Sequence, residues 1–395
     1  MRRRFKKINY RRRHRSLNSS NLGPILKLSA VVLLVLIALF AIIFVALPKL
    51  LPLVGIEYNS PLFPTPTPEP TPEPTPTPHP IEAYVPEDNE HEIIVSSNDY
   101  RWYADPFHYN GEIMFSGGKL VDGNVHLSTL LNYNVEANQT KEVGIELNNA
   151  HFLFPRFNDK WLVYIDGNLN GGGDLMVVDR TQSPLVPRLI KHIYVGQCRV
   201  KLDGDYIAWI EHTGTNMDKL FVCDLNTLET TTLATFNSSS YGQSTPDIHD
   251  GIVVWAEQSE SDGNGIIKSA NINTGEISIF APLTYVHDVE YNGTYFAWLD
   301  SLHSEDTKLY ISKGNSGENI LVCDDVVEYG LSDDFIAYST DETVYIYIFS
   351  QEKSYRVTPD RERVQFMGVS DNMIIWMDVT TRERDVLRYA FVPVD

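Results

Sequence analysis

Cysteine is scarce: Cys198, Cys223 and Cys323 are the only three in 395 residues. They are too few and too scattered for a disulfide-built domain. Hydrolase signatures are missing as well, with no Gly-x-Ser-x-Gly and no His-Glu-x-x-His anywhere in the chain. Ser116-Gly-Gly-Lys119 fits Ser-x-x-Lys by letter, but that chemistry needs a helix to set the serine beside the lysine, and its two glycines disfavour one. Acidic residues are absent from the first 50 positions, which hold eleven Lys and Arg; with −20 on the whole chain, residues 51–395 carry −31. So acidic a domain is repelled by phosphate backbones, which excludes nucleic acid as the main partner.

Charge of either sign is absent from Leu28–Pro48, LSAVVLLVLIALFAIIFVALP. As a helix it spans about 32 Å, enough for a hydrocarbon core of about 30 Å. A basic flank before such a segment places the N-terminus in the cytoplasm and the rest outside, a single-pass type II arrangement in the cell membrane, with the lipid bilayer as first partner. A cleaved signal peptide is the alternative; the length of the run and the lack of an A-x-A site before Pro48 weigh against it. The expected organisation is a basic cytoplasmic arm (1–27), a transmembrane helix (28–48), an extracellular Pro/Thr-rich linker (49–90) and a β domain (91–395).

Within the linker, Pro64–Pro80 reads PTPTPEPTPEPTPTPHP, with proline at every second position. Proline removes backbone donors and fixes φ near the polyproline II value, so this segment cannot join a core. At about 3.1 Å per residue it forms a stalk of roughly 50 Å. Its composition resembles the linkers of Gram-positive bacterial surface proteins.

Seven repeats follow. A turn, an apolar run and an aromatic recur as NGEIMF (Asn110–Phe115), NDKWLVY (Asn158–Tyr164), DGDYIAW (Asp203–Trp209), DGIVVW (Asp250–Trp255), NGTYFAW (Asn292–Trp298), DDFIAY (Asp333–Tyr338) and DNMIIW (Asp371–Trp376). Asn-Gly and Asp-Gly supply the left-handed backbone of tight hairpin turns, and β-branched and aromatic runs favour strands. A short run before each turn and two strands after each aromatic give four strands per unit, the blade pattern of an all-β, seven-bladed β-propeller. The last unit, within 364–392, lacks its fourth strand, and Glu92–Ser96 has no other partner, so the two are expected to share the closing blade. A six-bladed ring, the alternative, leaves one unit over.

Over residues 91–395 the repeat resembles that of TolB-like and WD40-like propellers, with the Ser-Pro-Asp-Gly form of the TolB-like repeat reduced to Asp203-Gly204, Asp250-Gly251 and looser variants. The resemblance implies the fold and leaves the activity open, because such propellers serve as envelope binding proteins and as appendages to peptidases.

The hairpins after each aromatic and the connections between blades share one face, which is the expected binding face. There, Asp166-Gly-Asn168-Leu-Asn170-Gly171-Gly-Gly-Asp174 alternates oxygen ligands around a turn glycine. The pattern looks like the calcium loop of integrin-type propellers, which implies Asp166, Asn168, Asn170 and Asp174 as metal ligands and calcium as the cofactor. Two Asn replace Asp, and a glycine-rich hairpin tip uses the same residues. Blade connections contribute His151, His192, Tyr194, Tyr241, Tyr285 and His287 as candidate ligand-binding residues, since rings with polar tips suit sugars, peptides and proteins. Inner strands place His108, Arg156, Lys201, Asp247, Asp288 and Glu328 along the central channel.

Two functions of different class fit these features. One is a tethered binding or scaffold module of the cell envelope for a protein, peptide or glycan. The other is a propeller-fold carbohydrate-active enzyme whose carboxylates come from several blades and leave no linear motif. A signalling receptor ranks behind both, with only 27 residues before the apolar run.

Overall fold

The computed structural model describes residues 82–83, 90–95, 99–194, 198–212, 217–238, 244–258, 264–283, 285–301, 307–314, 317–341, 343–358, 363–380 and 385–393. The basic arm, the apolar run 28–48, the Pro-rich stalk and Tyr241 lie outside them. Among the described residues no helix is long and apolar enough to cross a membrane.

The described chain is a seven-bladed β-propeller: blades one to five are sheets of four sequential antiparallel strands, blade six has four and gains a fifth, and blade seven has three and takes its fourth from the N-terminal side. The repeated aromatic runs are the second strands: Glu112–Val121, Trp161–Gly167, Tyr206–His212, Ile252–Gln258, Tyr295–Asp300, Phe335–Thr340 and Met373–Asp378. Turn chemistry explains their starts. Asn110 and Gly111 have φ of 47° and 76°, and Asp250 and Gly251 have 49° and 72°, the paired left-handed conformation of a two-residue hairpin turn.

The aromatic ending each run is buried in every blade: Phe115, Tyr164, Trp209, Trp255, Trp298, Tyr338 and Trp376 are all at most 1% exposed. Each is worth roughly 2–3 kcal/mol by burial. The core divides into seven clusters, each spanning two consecutive blades. A blade therefore buries its faces only against its neighbours, and an open ring leaves two of those faces wet.

Closure comes from the N-terminal side. Glu90–Glu92 runs antiparallel to Val386–Phe391, with Glu90 opposite Ala390, His91 opposite Tyr389 and Glu92 opposite Arg388. The paired stretch starts two residues before the segment expected from apolar content. Arg388 Nη1 reaches Glu90 Oε1 at 2.6 Å, and His91 stacks on Tyr389 at 5.0 Å, so polar residues carry the pairing. Ile93 and Val95 then sink into the cluster between blades seven and one. Upstream, Glu82–Ala83 adds a short parallel strand to Lys353–Arg356 at the outer edge of blade six, inside the stretch expected to be linker.

His91→Pro, which removes a ladder donor and disfavours the strand, is expected to detach this segment and expose Ile93 and Val95. The full chain should then melt lower by on the order of 10 °C. An unchanged melting temperature would show that the ring closes without it.

Candidate functional site

Inner strands run from the looped face to the plain face of the ring, and their register on the second strands sets the levels of the channel. The residue opposite the one preceding each repeat aromatic is Phe107, Arg156, Lys201, Asp247, Glu290, Gly330 and Gly368 in blades one to seven. Two positions nearer the looped face stand Asp105, Phe154, Arg199, Thr245, Asp288 and Glu328 in blades one to six. Contacts across the ring show that these side chains meet in the channel. Lys201 of blade three lies 2.5 Å from Glu290 of blade five and 3.5 Å from Asp247, and Arg199 lies 3.9 Å from Glu328 of blade six.

Most of the acids do a second job. Asp105 accepts the Phe154 amide at 3.0 Å, Asp247 the Tyr291 amide at 2.9 Å, Asp288 the Thr245 amide at 3.0 Å and Glu290 the Leu331 amide at 2.6 Å, each across a blade boundary. A hydrogen bond to a charged group contributes about 1.5–3 kcal/mol, so each is a staple between neighbours. Toward the plain face the same principle continues with neutral groups. Asn158 Nδ2 donates to Gly204 O at 2.8 Å, Asn292 Nδ2 to Ser332 O at 2.7 Å, and Ser370 Oγ to His108 O at 2.8 Å.

The electrostatics follow from this placement. Burial pushes the Asp105, Asp247 and Glu328 carboxyls up. For Asp105 and Glu328 nearby arginines offset part of it, and for Asp247 Lys201 does so while Glu290 adds to the rise. Burial alone would lower Lys201, but Asp247 and Glu290 together hold it above its ordinary value. Asp288 is the exception among these acids: burial would raise it, yet the His287 hydrogen bond and charge, the Thr245 amide and Arg199 hold it below the usual carboxylate range.

His287 joins Ser301 Oγ at 3.0 Å through Nε2 and Asp288 Oδ2 at 3.1 Å through Nδ1. The Ser-His-Asp order is that of a hydrolase triad, but Ser301 and His287 are each 3% exposed and Asp288 faces the channel with its other oxygen on Thr245. With Ser301 and His287 both buried, the relay orients Asp288 toward the channel.

The other expected site residues are dispersed along the looped face. His151 is half-buried, its Nδ1 accepting the Leu127 amide at 3.1 Å, and burial with the nearby His126 lowers its pKa. His192 is exposed and sits 2.5 Å from Asp174. Tyr194 is 89% exposed, and Tyr285 is half-buried with its amide on Asp300 Oδ1 at 3.2 Å. Of these, only His287 touches the channel network.

In the glycine-rich hairpin, Asp166 and Asp174 stand opposite each other in register. Asp166 is 1% exposed, and its two oxygens accept the Asn148 and Asn149 amides at 2.8 and 3.0 Å. Asn168 Oδ1 accepts the Asn170 and Gly172 amides at 2.8 and 3.1 Å. As placed, these oxygens accept amides of the turn and of the blade connection. Among the described residues no three His, Cys, Asp or Glu side chains are grouped to hold a metal ion.

Asp105, Arg199, Glu290 and Tyr329, whose hydroxyl donates to the Asp288 carbonyl, escape sequence reading. Four inner strands carry register irregularities, at Ala104/Phe107, Leu153/Arg156, His287/Glu290 and Phe366/Gly368; the first hides Asp105, while Arg199 precedes its strand. Each offsets the period-two count by one. At blade one this puts Phe107 at the level expected for His108, which is 5% exposed and lies 3.5 Å from Asp371 of blade seven.

No protein-family model matches the chain, and no curated protein matches it. Among solved structures it is similar to the β-propeller domain of the Trilobed protease from Pyrococcus furiosus, described as having an open velcro topology. The TM-score there is 0.57 at 15% identity, over 73% of this chain and 93% of that one. It is also similar to an oligogalacturonate lyase in complex with manganese, at TM-score 0.54 and 13% identity, over 80% of this chain and 97% of that one. TolB from Acinetobacter baumannii aligns at TM-score 0.42 and 13% identity, over 66% of this chain and 59% of that one, too loosely to bear on the family of the repeat. At these identities the likeness shows the fold.

Because the folded-state pKa of Asp288 is depressed, its contribution to stability is fully present above the unfolded carboxylate value, near 3.8, and is lost as pH falls through the folded value. Asp288→Asn should therefore flatten the acid limb of the melting temperature against pH below about 4. An acid limb identical to that of the unsubstituted chain would show that the carboxylate is not so held.

Proposed function

We propose that this chain is a membrane-tethered, extracytoplasmic binding or scaffold module of the cell envelope, a propeller of TolB-like kind that takes a protein, peptide or glycan partner on its looped face. The commitment of the channel acids carries this reading over the enzymatic one. A general acid or base must be free to move a proton to a reacting group, whereas Asp105, Asp247, Asp288 and Glu290 each accept a neighbouring blade's amide. The tether rests on the basic arm 1–27, the uncharged run 28–48 and the Pro-Thr stalk. The looped face supplies docking chemistry: Tyr194 is 89% and Leu169 63% exposed, and His192 lies beside them in the same blade.

One observation favours the alternative of a carbohydrate-active enzyme. Glu328 is a half-exposed carboxylate whose pKa burial raises, and its nearest described cation is Arg199 at 3.9 Å. Calcium is outside the proposal, because Asp166 and Asn168 are already engaged by amides.

Two measurements test the reading. A photoreactive benzoylphenylalanine in place of Tyr194, in the full chain within intact cells, is expected to give discrete adducts, and the same group in place of Asp334 on the plain face is expected to give none. Equal labelling from both positions, or none from either, would remove the looped face as the docking surface. Adding calcium at about millimolar concentration is expected to leave the melting temperature unchanged; a rise would show that the hairpin of Asp166 and Asp174 rearranges into a cage.

A further inference from the structure

Three cations stand on blades two and three of the channel, and only one is neutralised. Lys201 lies between Glu290 and Asp247, at 2.5 and 3.5 Å. Arg156 has no described carboxylate within ion-pair distance. Its Nη1 donates to the adjacent Pro155 carbonyl at 2.8 Å, and its guanidinium lies over the Phe107 ring at 4.8 Å. Arg199, with 54% of its side chain exposed, comes no closer to a described acid than 3.9 Å from Glu328, too far for a hydrogen bond.

Acids are not lacking in this channel; they are engaged elsewhere. Asp105, Asp247, Asp288 and Glu290 are tied to neighbouring amides, which leaves two guanidiniums with unused donors. Burial pushes Arg156 below its ordinary value, Asp105 offsets part of this, and the charge of Arg199 pushes in the same direction as burial, so the two guanidiniums sense each other. A planar guanidinium presents five donors in a fork that matches a carboxylate. The stacking of Arg156 on Phe107 holds that fork in place before any ligand arrives. Room is available at the same level, since a Cβ built on Gly368 would meet nothing within 4 Å.

We infer that Arg156 and Arg199 form a carboxylate-binding site in the channel, entered from the looped face. Among the described residues, five channel acids stand against three cations, so long-range attraction is not what holds an anion there. It is held by charge-assisted hydrogen bonds to the guanidiniums. The ligand must also bring an N–H or O–H donor beside its carboxylate, for which Glu328, the acid with no amide to hold, is the acceptor. Both the terminus of a peptide and an acidic sugar have this chemistry. The inference deepens the binding reading above and rests on it for the face of entry.

The test titrates the full chain in detergent micelles with N-acetylglycinate and with glucuronate, using N-acetylglycinamide as the uncharged control and ligand-observed NMR as the readout. Saturable binding of a carboxylate with Kd of about 1 mM is expected, with none for the amide. Tighter binding of N-acetylglycinate points to a peptide terminus and tighter binding of glucuronate to an acidic sugar. Arg199→Gln should weaken binding about tenfold or more without lowering the melting temperature, and Arg199→Lys, which keeps the charge and loses the fork, should fall between. Saturation by neither carboxylate at about 50 mM, equal binding of the amide, or undiminished binding to Arg199→Gln would overturn the site. Adducts from position 194 without carboxylate binding would overturn this inference alone.

Discussion

A carboxylate on one inner strand accepting an amide of the next blade is the interaction on which this ring depends. A propeller blade has no core of its own; it buries its faces only against its neighbours, and packing by itself leaves adjacent sheets free to slide. Hydrogen bonds from Asp105, Asp247, Asp288 and Glu290 to Phe154, Tyr291, Thr245 and Leu331 fix the offset of one blade on the next. Side chains such as Asn158, Asn292 and Ser370 repeat the device at the plain face. Closure by Glu90–Glu92 on Val386–Phe391 completes the circle and makes every staple a constraint on all the others.

The same commitment sorts the channel chemically. Acids that hold amides have their oxygens directed by the backbone, and Asp288 is further aligned by His287 and Ser301. Cations are donors and cannot accept an amide N–H, so they take no part in these staples. Arg156 and Arg199 are thus left facing the cavity although the chain as a whole carries −20. A surplus of one sign in the sequence and an unpaired group of the other sign at the site are compatible once hydrogen bonding to the backbone is counted.

Much of the architecture is legible in the residues alone, since an Asn- or Asp-led turn followed by an apolar run and an aromatic marks the second strand of every blade. Those aromatics recur because the boundary between blades needs one large apolar side chain at the same place each time. Closure is legible in kind and displaced in register: pairing begins at Glu90 and His91, beside Arg388 and Tyr389, and reaches Ile93, whose amide donates to Leu387 O, while Ile93 and Val95 pack into the core. The channel is harder to read. Lys201, Asp247, Arg156 and Asp288 fall where alternation puts them, and Glu290 is two positions on from Asp288, but Asp105 is hidden by a register irregularity that no local residue signal marks, and Arg199 precedes its strand. Asp166, read from the sequence as a ligand in a hairpin pattern, has oxygens that accept the amides of the preceding blade connection.

Amide hydrogen exchange tests the staple most directly. At neutral pH the amides of Phe154, Thr245, Tyr291 and Leu331 should exchange as slowly as ladder amides, and Glu290→Ala should release Leu331 while leaving the other three protected. Exchange of these four amides at the rate of exposed backbone in the unsubstituted chain would contradict the account.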